Sequence, residues 1–144
     1  MYDVYLASPF FNDKEIQILE QSERILRERG LKVFSPREHT IENGENMSNE
    51  QWGKEVFMMD CNAITQCKCM VALYHGMYSD SGTAWEIGYA KALGSKILVV
   101  YVDKDEVSSL MVSNGSNAQI GSIEELESFD FEKFRGTVDS VEQK

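Results

Sequence analysis

Met70-Val71-Ala72-Leu73-Tyr74, a loop from His75 to Ser79, and then Asp80-Ser81-Gly82-Thr83-Ala84-Trp85-Glu86-Ile87-Gly88-Tyr89-Ala90 form the stretch from which the rest of the chain is read. The short apolar run reads as a buried strand. The segment after it is a helix of small and apolar residues with no wide polar face, so it is expected to be buried. Gly82, Glu86, Tyr89, Ala90 and Leu93 share one side of it by the i, i+4, i+7 rule. A carboxylate on such a side is costly to bury unless it has partners or a chemical task. Glu86 is therefore a candidate reactive group.

Working outward, the pattern alternates between strand and helix. Asp3–Ala7 reads as a first strand and Ser8–Phe11 as a loop. Asn12-Asp13-Lys14-Glu15 is a capping box. Ile16, Leu19, Ile25 and Leu26 supply an apolar helical stripe, which Gly30 ends. Leu31–Phe34 is a second strand, and the crossover length between the two implies that they are parallel. Ser35–Asn49 has no periodicity and reads as a long loop of the kind that often binds or covers a ligand. Ser48 and Gln51 cap a helix that reaches about Gln66. Cys69–Tyr74 and Lys96–Val102 are further strands, and Asn117–Ile120 is a short fifth. Asp103–Gly115 is irregular, with a short helix around Val107–Val112. Ser122 caps a last short helix, and Arg135–Lys144 is a loose polar tail. The expected architecture is α/β: a flavodoxin-like (Rossmann-like) parallel five-stranded sheet with helices on both faces, in one domain over 1–134.

In such sheets the ligand lies beyond the carboxyl ends of the strands. The loops Ser8–Asn12, Ser35–Asn49 and His75–Asp80 meet there, with Glu86 and Asp80 near that edge. Phe10, Phe11 and Tyr78 are placed to wall a slot for a flat ligand. On the second helix Trp52, Val56, Asp60 and Ile64 follow one another at i+4 steps. The pattern leaves two readings of Asp60, a carboxylate in an apolar stripe or a helix rotated so that it reaches solvent; the second is favoured by the pattern alone.

The 144 residues carry a net charge of −10, which argues against a polyanionic partner such as nucleic acid. No apolar run approaches a bilayer span, and Met1-Tyr2-Asp3-Val4 does not resemble a signal peptide, so neither a membrane nor export is expected. Cys61, Cys67 and Cys69 read as structural thiols of a cytoplasmic protein rather than as a metal site. The loop Ala7–Phe11 has no glycine, which excludes a dinucleotide turn. Phosphate-loop and serine-elbow motifs are absent as well. What gathers at the crevice is carboxylates: Asp60, Asp80, Glu86 and Glu38. Without histidine ligands they suit acid–base or glycosyl-transfer chemistry, with an oxygen-ligated divalent ion as the competing use.

Tyr5-Leu6-Ala7-Ser8-Pro9-Phe10-Phe11, Trp52 with Asp60 eight positions later, and Asp80 six residues before Glu86-Ile87-Gly88-Tyr89-Ala90 together resemble the nucleoside 2-deoxyribosyltransferase family over about residues 2–112. The resemblance implies an oligomeric enzyme without metal or cofactor that exchanges the base of a 2′-deoxyribonucleoside for a free nucleobase. It implies that Glu86 is the nucleophile, Tyr5 the group that orients it, and Asp60 the acid that meets the sugar and protonates the departing base. Asp80 would lie near the 5′-hydroxyl, Ser8 and Phe11 in the loop packing on the base, and Met111 in the site of a neighbouring subunit. The loop Ser35–His39 lies where the family reads the base edge, so Arg37, Glu38 and His39 are candidates for that contact. Ser109 departs from the transferase pattern. It is more like the related 2′-deoxynucleoside 5′-phosphate N-hydrolases, which hold phosphate there, whereas a carboxylate at position 80 would repel a 5′-phosphate. An N-glycoside hydrolase is thus the alternative, and a non-catalytic nucleotide-binding module the third reading.

Overall fold

The computed structural model describes residues 1–76, 81–103 and 109–136. Five parallel strands form one sheet: β1 (Tyr2–Ala7), β2 (Val33–Phe34), β3 (Cys67–Tyr74), β4 (Lys96–Tyr101) and β5 (Ala118–Ile120). Their order is β2-β1-β3-β4-β5, the flavodoxin-like order. The helices are α1 (Asp13–Glu28), α2 (Asn49–Gln66), α3 (Ser81–Ala92), α4 (Leu110–Gly115) and α5 (Phe131–Gly136).

The strands are apolar on both faces because both are covered. Val4, Leu6, Val71 and Leu73 pack with Leu19 and Leu26 of α1 and with Ile123, Leu126 and Phe131 near the C-terminal end. Tyr5, Ala7, Met70, Ala72 and Tyr74 face the other way, onto Ala63 and Ile64 of α2, Ile87 and Ala90 of α3, and Val112 of α4. The chain leaves β1 toward one edge of the sheet and returns to build β3 on β1's other side. β1 and β3 therefore flank the switch point of the sheet, where such folds form a crevice beyond the carboxyl ends of the strands.

Local chemistry sets the ends of the elements. Asn12 accepts from the Glu15 N–H at 2.9 Å to start α1, and Gly30 (φ 81°) turns the chain out of it in a left-handed conformation. Ser48 accepts from the Gln51 N–H to start α2.

Four expectations change. The second strand is shorter than Leu31–Phe34, although the Lys32 carbonyl still accepts from the Asp3 and Val4 N–H groups. The long loop is partly ordered by 3-10 turns at Pro36–Glu38 and Gly44–Asn46. Arg135 does not begin a loose tail: it lies in α5 and pairs with Asp3 at 2.6 Å. The fourth correction concerns α3, which buries only Thr83, Ile87 and Ala90, while Trp85 and Leu93 are each 49% exposed. A helix lying on a sheet covers it with one stripe, and among the described residues nothing fully covers the outer side of this apolar helix. The expected helix around Val107–Val112 begins only at Leu110 as described; Tyr78, Asp80, Val107 and the tail from Thr137 lie outside the described residues.

Candidate active site

A cavity of about 480 Å³ opens at the crevice beyond β1 and β3. Three elements bring chemistry to it. The loop after β1 supplies Ser8, Phe10 and Phe11. One side of α2 supplies Val56, Phe57, Asp60 and Cys61, and the first turns of α3 supply Gly82, Thr83, Trp85 and Glu86.

Tyr5 is fully buried in β1 beneath these groups, its ring stacked on Phe34 with centroids 5.5 Å apart. Its hydroxyl donates a short hydrogen bond to Glu86 Oε2. Burial first, then the charges of Glu86 and Asp60, push the Tyr5 phenol far above its ordinary range. Tyr5 is thus a fixed donor that keeps its proton and orients one oxygen of Glu86.

Asp60 is the half-buried member of the α2 stripe, so the solvent-facing reading of that stripe does not hold. Its Oδ1 is shut off from water and has no hydrogen-bond partner among the described residues. Burial raises its carboxyl from the ordinary 3.8 to about 6. Removal from water, rather than the second carboxylate, is the cause. The result is a protonatable acid in the same cavity as Glu86. Cys61 also lines the cavity, and its thiol is pushed up by burial and by the two carboxylates. It is therefore a cavity residue, unlike Cys69, which is a buried core thiol.

The loop after β2 is placed differently from the expectation. The Arg37 guanidinium is bound by the buried carboxylate of Glu23, which also accepts from Ser35 Oγ at 2.5 Å. Glu38 pairs with Arg27, and the His39 ring stacks on Phe34 at 4.1 Å. None of the three lines the cavity; Pro36 is what this loop contributes. A charged side chain held by an opposite charge a helix away is not available to read a base edge. Arg37→Met would strand Glu23 as a buried unpaired carboxylate, with an expected loss of about 2–3 kcal/mol. A urea midpoint lowered accordingly, with activity kept below the transition, is the outcome to look for.

Ser109 caps α4 through the Val112 N–H at 3.4 Å and does not reach the cavity. Met111 is 84% exposed and lies outside it too. Trp52 heads the α2 stripe but packs over Gly44, where an added Cβ would come within 3.1 Å of its ring. Sequence reasoning missed Phe57 and Trp85, whose rings meet edge to face at 5.2 Å and join α2 to α3 at the cavity wall. Gly53, Phe57 and Cys61 form a second i+4 row beside the stripe of Asp60, and that row is the signal that could have located Phe57.

A flavodoxin-like sheet with an oriented carboxylate and a protonatable one at its switch point is the frame of an α/β enzyme built for carboxylate chemistry. The sequence profile of the nucleoside 2-deoxyribosyltransferase family matches residues 4–135, and the chain belongs to that family of glycosyl-transferring enzymes. It is similar in structure to the 2-deoxyribosyltransferase of Bacillus psychrosaccharolyticus, with a TM-score of 0.83, 32% identity, and coverage of 92% of this chain and 95% of that one. In sequence it is 22% identical over 143 residues to the nucleoside deoxyribosyltransferase of Lactobacillus leichmannii, covering 92% of this chain and 91% of the relative. A likeness of fold extends to the CMP N-glycosidase of Clostridium botulinum, with a TM-score of 0.58, 24% identity, and coverage of 83% and 88% of the two chains. Among the described residues no helix is long and apolar enough to cross a membrane.

Proposed function

We propose that the protein exchanges the base of a 2′-deoxyribonucleoside through a covalent 2-deoxyribosyl ester on Glu86, with net retention at C1′. The observation that carries this is a pair of carboxylates in one cavity: Glu86, held from beneath by Tyr5, and half-buried Asp60, able to hold a proton. In the first step a Glu86 oxygen bonds to C1′ as the bond from C1′ to the base nitrogen breaks. Asp60 gives its proton to the departing base. An incoming base then attacks C1′, the ester breaks, and the proton lost by the new base returns to Asp60. The transition state resembles an oxocarbenium ion, which forms more easily without an electron-withdrawing 2′-hydroxyl. Phe10 and Phe11, which line the cavity, flank the base. No cofactor enters this scheme.

Exposed Trp85, Leu110 and Met111, with Phe57 half open at the cavity wall, suit coverage by a second copy of the chain. In that assembly Met111 closes the neighbour's site and limits water.

The test is chromatography of deoxyinosine reactions with and without adenine. Deoxyadenosine formed only with adenine supports exchange. Hypoxanthine released equally in its absence supports hydrolysis, the second reading, which the 80% exposure of Phe11 at the open cavity of the single chain favours.

Tyr5→Phe removes one hydrogen bond to Glu86 while keeping the stack on Phe34. The expected result is a kcat lower by about 10–100-fold with a nearly unchanged thermal midpoint. Steady-state kinetics and a melting curve check both halves.

A further inference from the structure

Glu15 is a second buried carboxylate, and the scheme above does not use it. It is 6% exposed, at the third position of α1. In an ordinary capping box this residue reaches back to the N–H of the capping residue, here Asn12. Instead, Glu15 Oε1 accepts from the N–H of Phe11, one residue further back, at 2.9 Å. Asn12 completes the reciprocal bond, accepting from the Glu15 N–H.

Phe11 needs such a tie. Its ring lines the cavity yet is 80% exposed, in contact with Phe10 at a centroid distance of 6.3 Å. Packing alone does not fix so exposed a ring, so its place depends on the backbone that carries it. Glu15 holds that backbone from below, through a charge-assisted bond in a water-poor setting, where such bonds are strongest. His75, at the end of β3 and 8% exposed, lies close enough to feel the Glu15 charge. The carboxylate therefore sits between the loop after β1 and the end of β3.

We propose that Glu15 is a positioning residue that fixes Phe11 over the cavity, and so sets donor affinity and the partition of the sugar between acceptor base and water. This rests on the proposed transfer reaction.

The experiment compares wild type, Glu15→Gln, Glu15→Asp and Glu15→Ala. Gln keeps an acceptor oxygen at the same reach, whereas Asp keeps the charge but is one methylene too short. Donor KM, kcat and the ratio of exchanged nucleoside to free sugar are measured at fixed adenine, alongside exchange of the Phe11 amide hydrogen by NMR. The expected result is a protected Phe11 amide and near-native partition in wild type and Gln. In Asp and Ala the amide exchanges fast, donor KM rises roughly 5-fold, more sugar goes to water, and kcat changes little. Should Ala not fold, Asp against Gln carries the same comparison. An unprotected Phe11 amide in wild type, a Gln variant as impaired as Asp, or an unchanged partition in Asp would overturn the proposal. If wild type shows neither exchange nor hydrolysis, the transfer reading itself fails, while the amide measurement still reports whether Glu15 holds Phe11.

Discussion

Glu86→Ala is expected to lower the rate of base exchange by about 10⁴-fold or more, because the group that forms the bond to C1′ is gone. The loss should appear in kcat and in kcat/KM alike, since the ester is made only along the reaction path. The alanine variant also leaves the buried Tyr5 hydroxyl without its acceptor, at a cost of about 1–3 kcal/mol. Glu86→Gln separates the two effects. It still accepts from Tyr5, so its melting temperature should stay close to wild type while its activity falls as far as that of alanine. Exchange kinetics and melting curves of the pair check this. A glutamine variant with substantial exchange would mean that Glu86 organises the site rather than reacts.

The second large effect concerns Asp60, where activity and stability should move in opposite directions. Burial raises its carboxyl from 3.8 to about 6. The folded protein therefore keeps this proton to a higher pH than the unfolded chain does. Between about pH 4 and pH 6 the folded state binds more proton, so this group's contribution to stability falls as pH rises. Above about pH 6 the folded state carries the full cost of a charged, poorly solvated Oδ1. Asp60→Asn removes that cost, so its melting temperature should exceed wild type at pH 7–8 and match it near pH 4. The same substitution removes the acid for the leaving base, with an expected loss of about 10²–10³-fold in kcat. In wild type, the limb that needs protonated Asp60 should decline as pH rises through about 6, and this limb should be missing from the variant. A variant that is both less stable and fully active would refute the assignment.

The sheet was legible because each strand is short, apolar and bounded by caps or glycines. Parallel pairing followed from crossover length, and the cavity's location from the switch point. Asp60 and Glu86 could be found because each interrupts an apolar helical side, and periodicity exposes that kind of break. The resemblance supplied Tyr5, whose role periodicity does not reveal, since a tyrosine in a strand looks like core until its hydroxyl meets a carboxylate 81 residues away. What was not legible depends on contacts between elements. The charges of Arg37 and Glu38 look free in the sequence, yet Glu23 and Arg27 of α1 hold them. Composition marked α3 as buried, but only its sheet-facing stripe is, because how much of an apolar helix is covered depends on neighbours outside its own segment. The pairing of Phe57 with Trp85 likewise comes into being only when α2 and α3 pack.

The glycosyl ester on Glu86 can be sought by intact-protein and peptide mass spectrometry after acid quench of the enzyme with a 2′-deoxyribonucleoside and no acceptor base. The mass of one 2-deoxyribosyl group is expected on the peptide containing Glu86, lost on adding adenine and absent from Glu86→Gln. Base release without any adduct, or an adduct on another side chain, would contradict it.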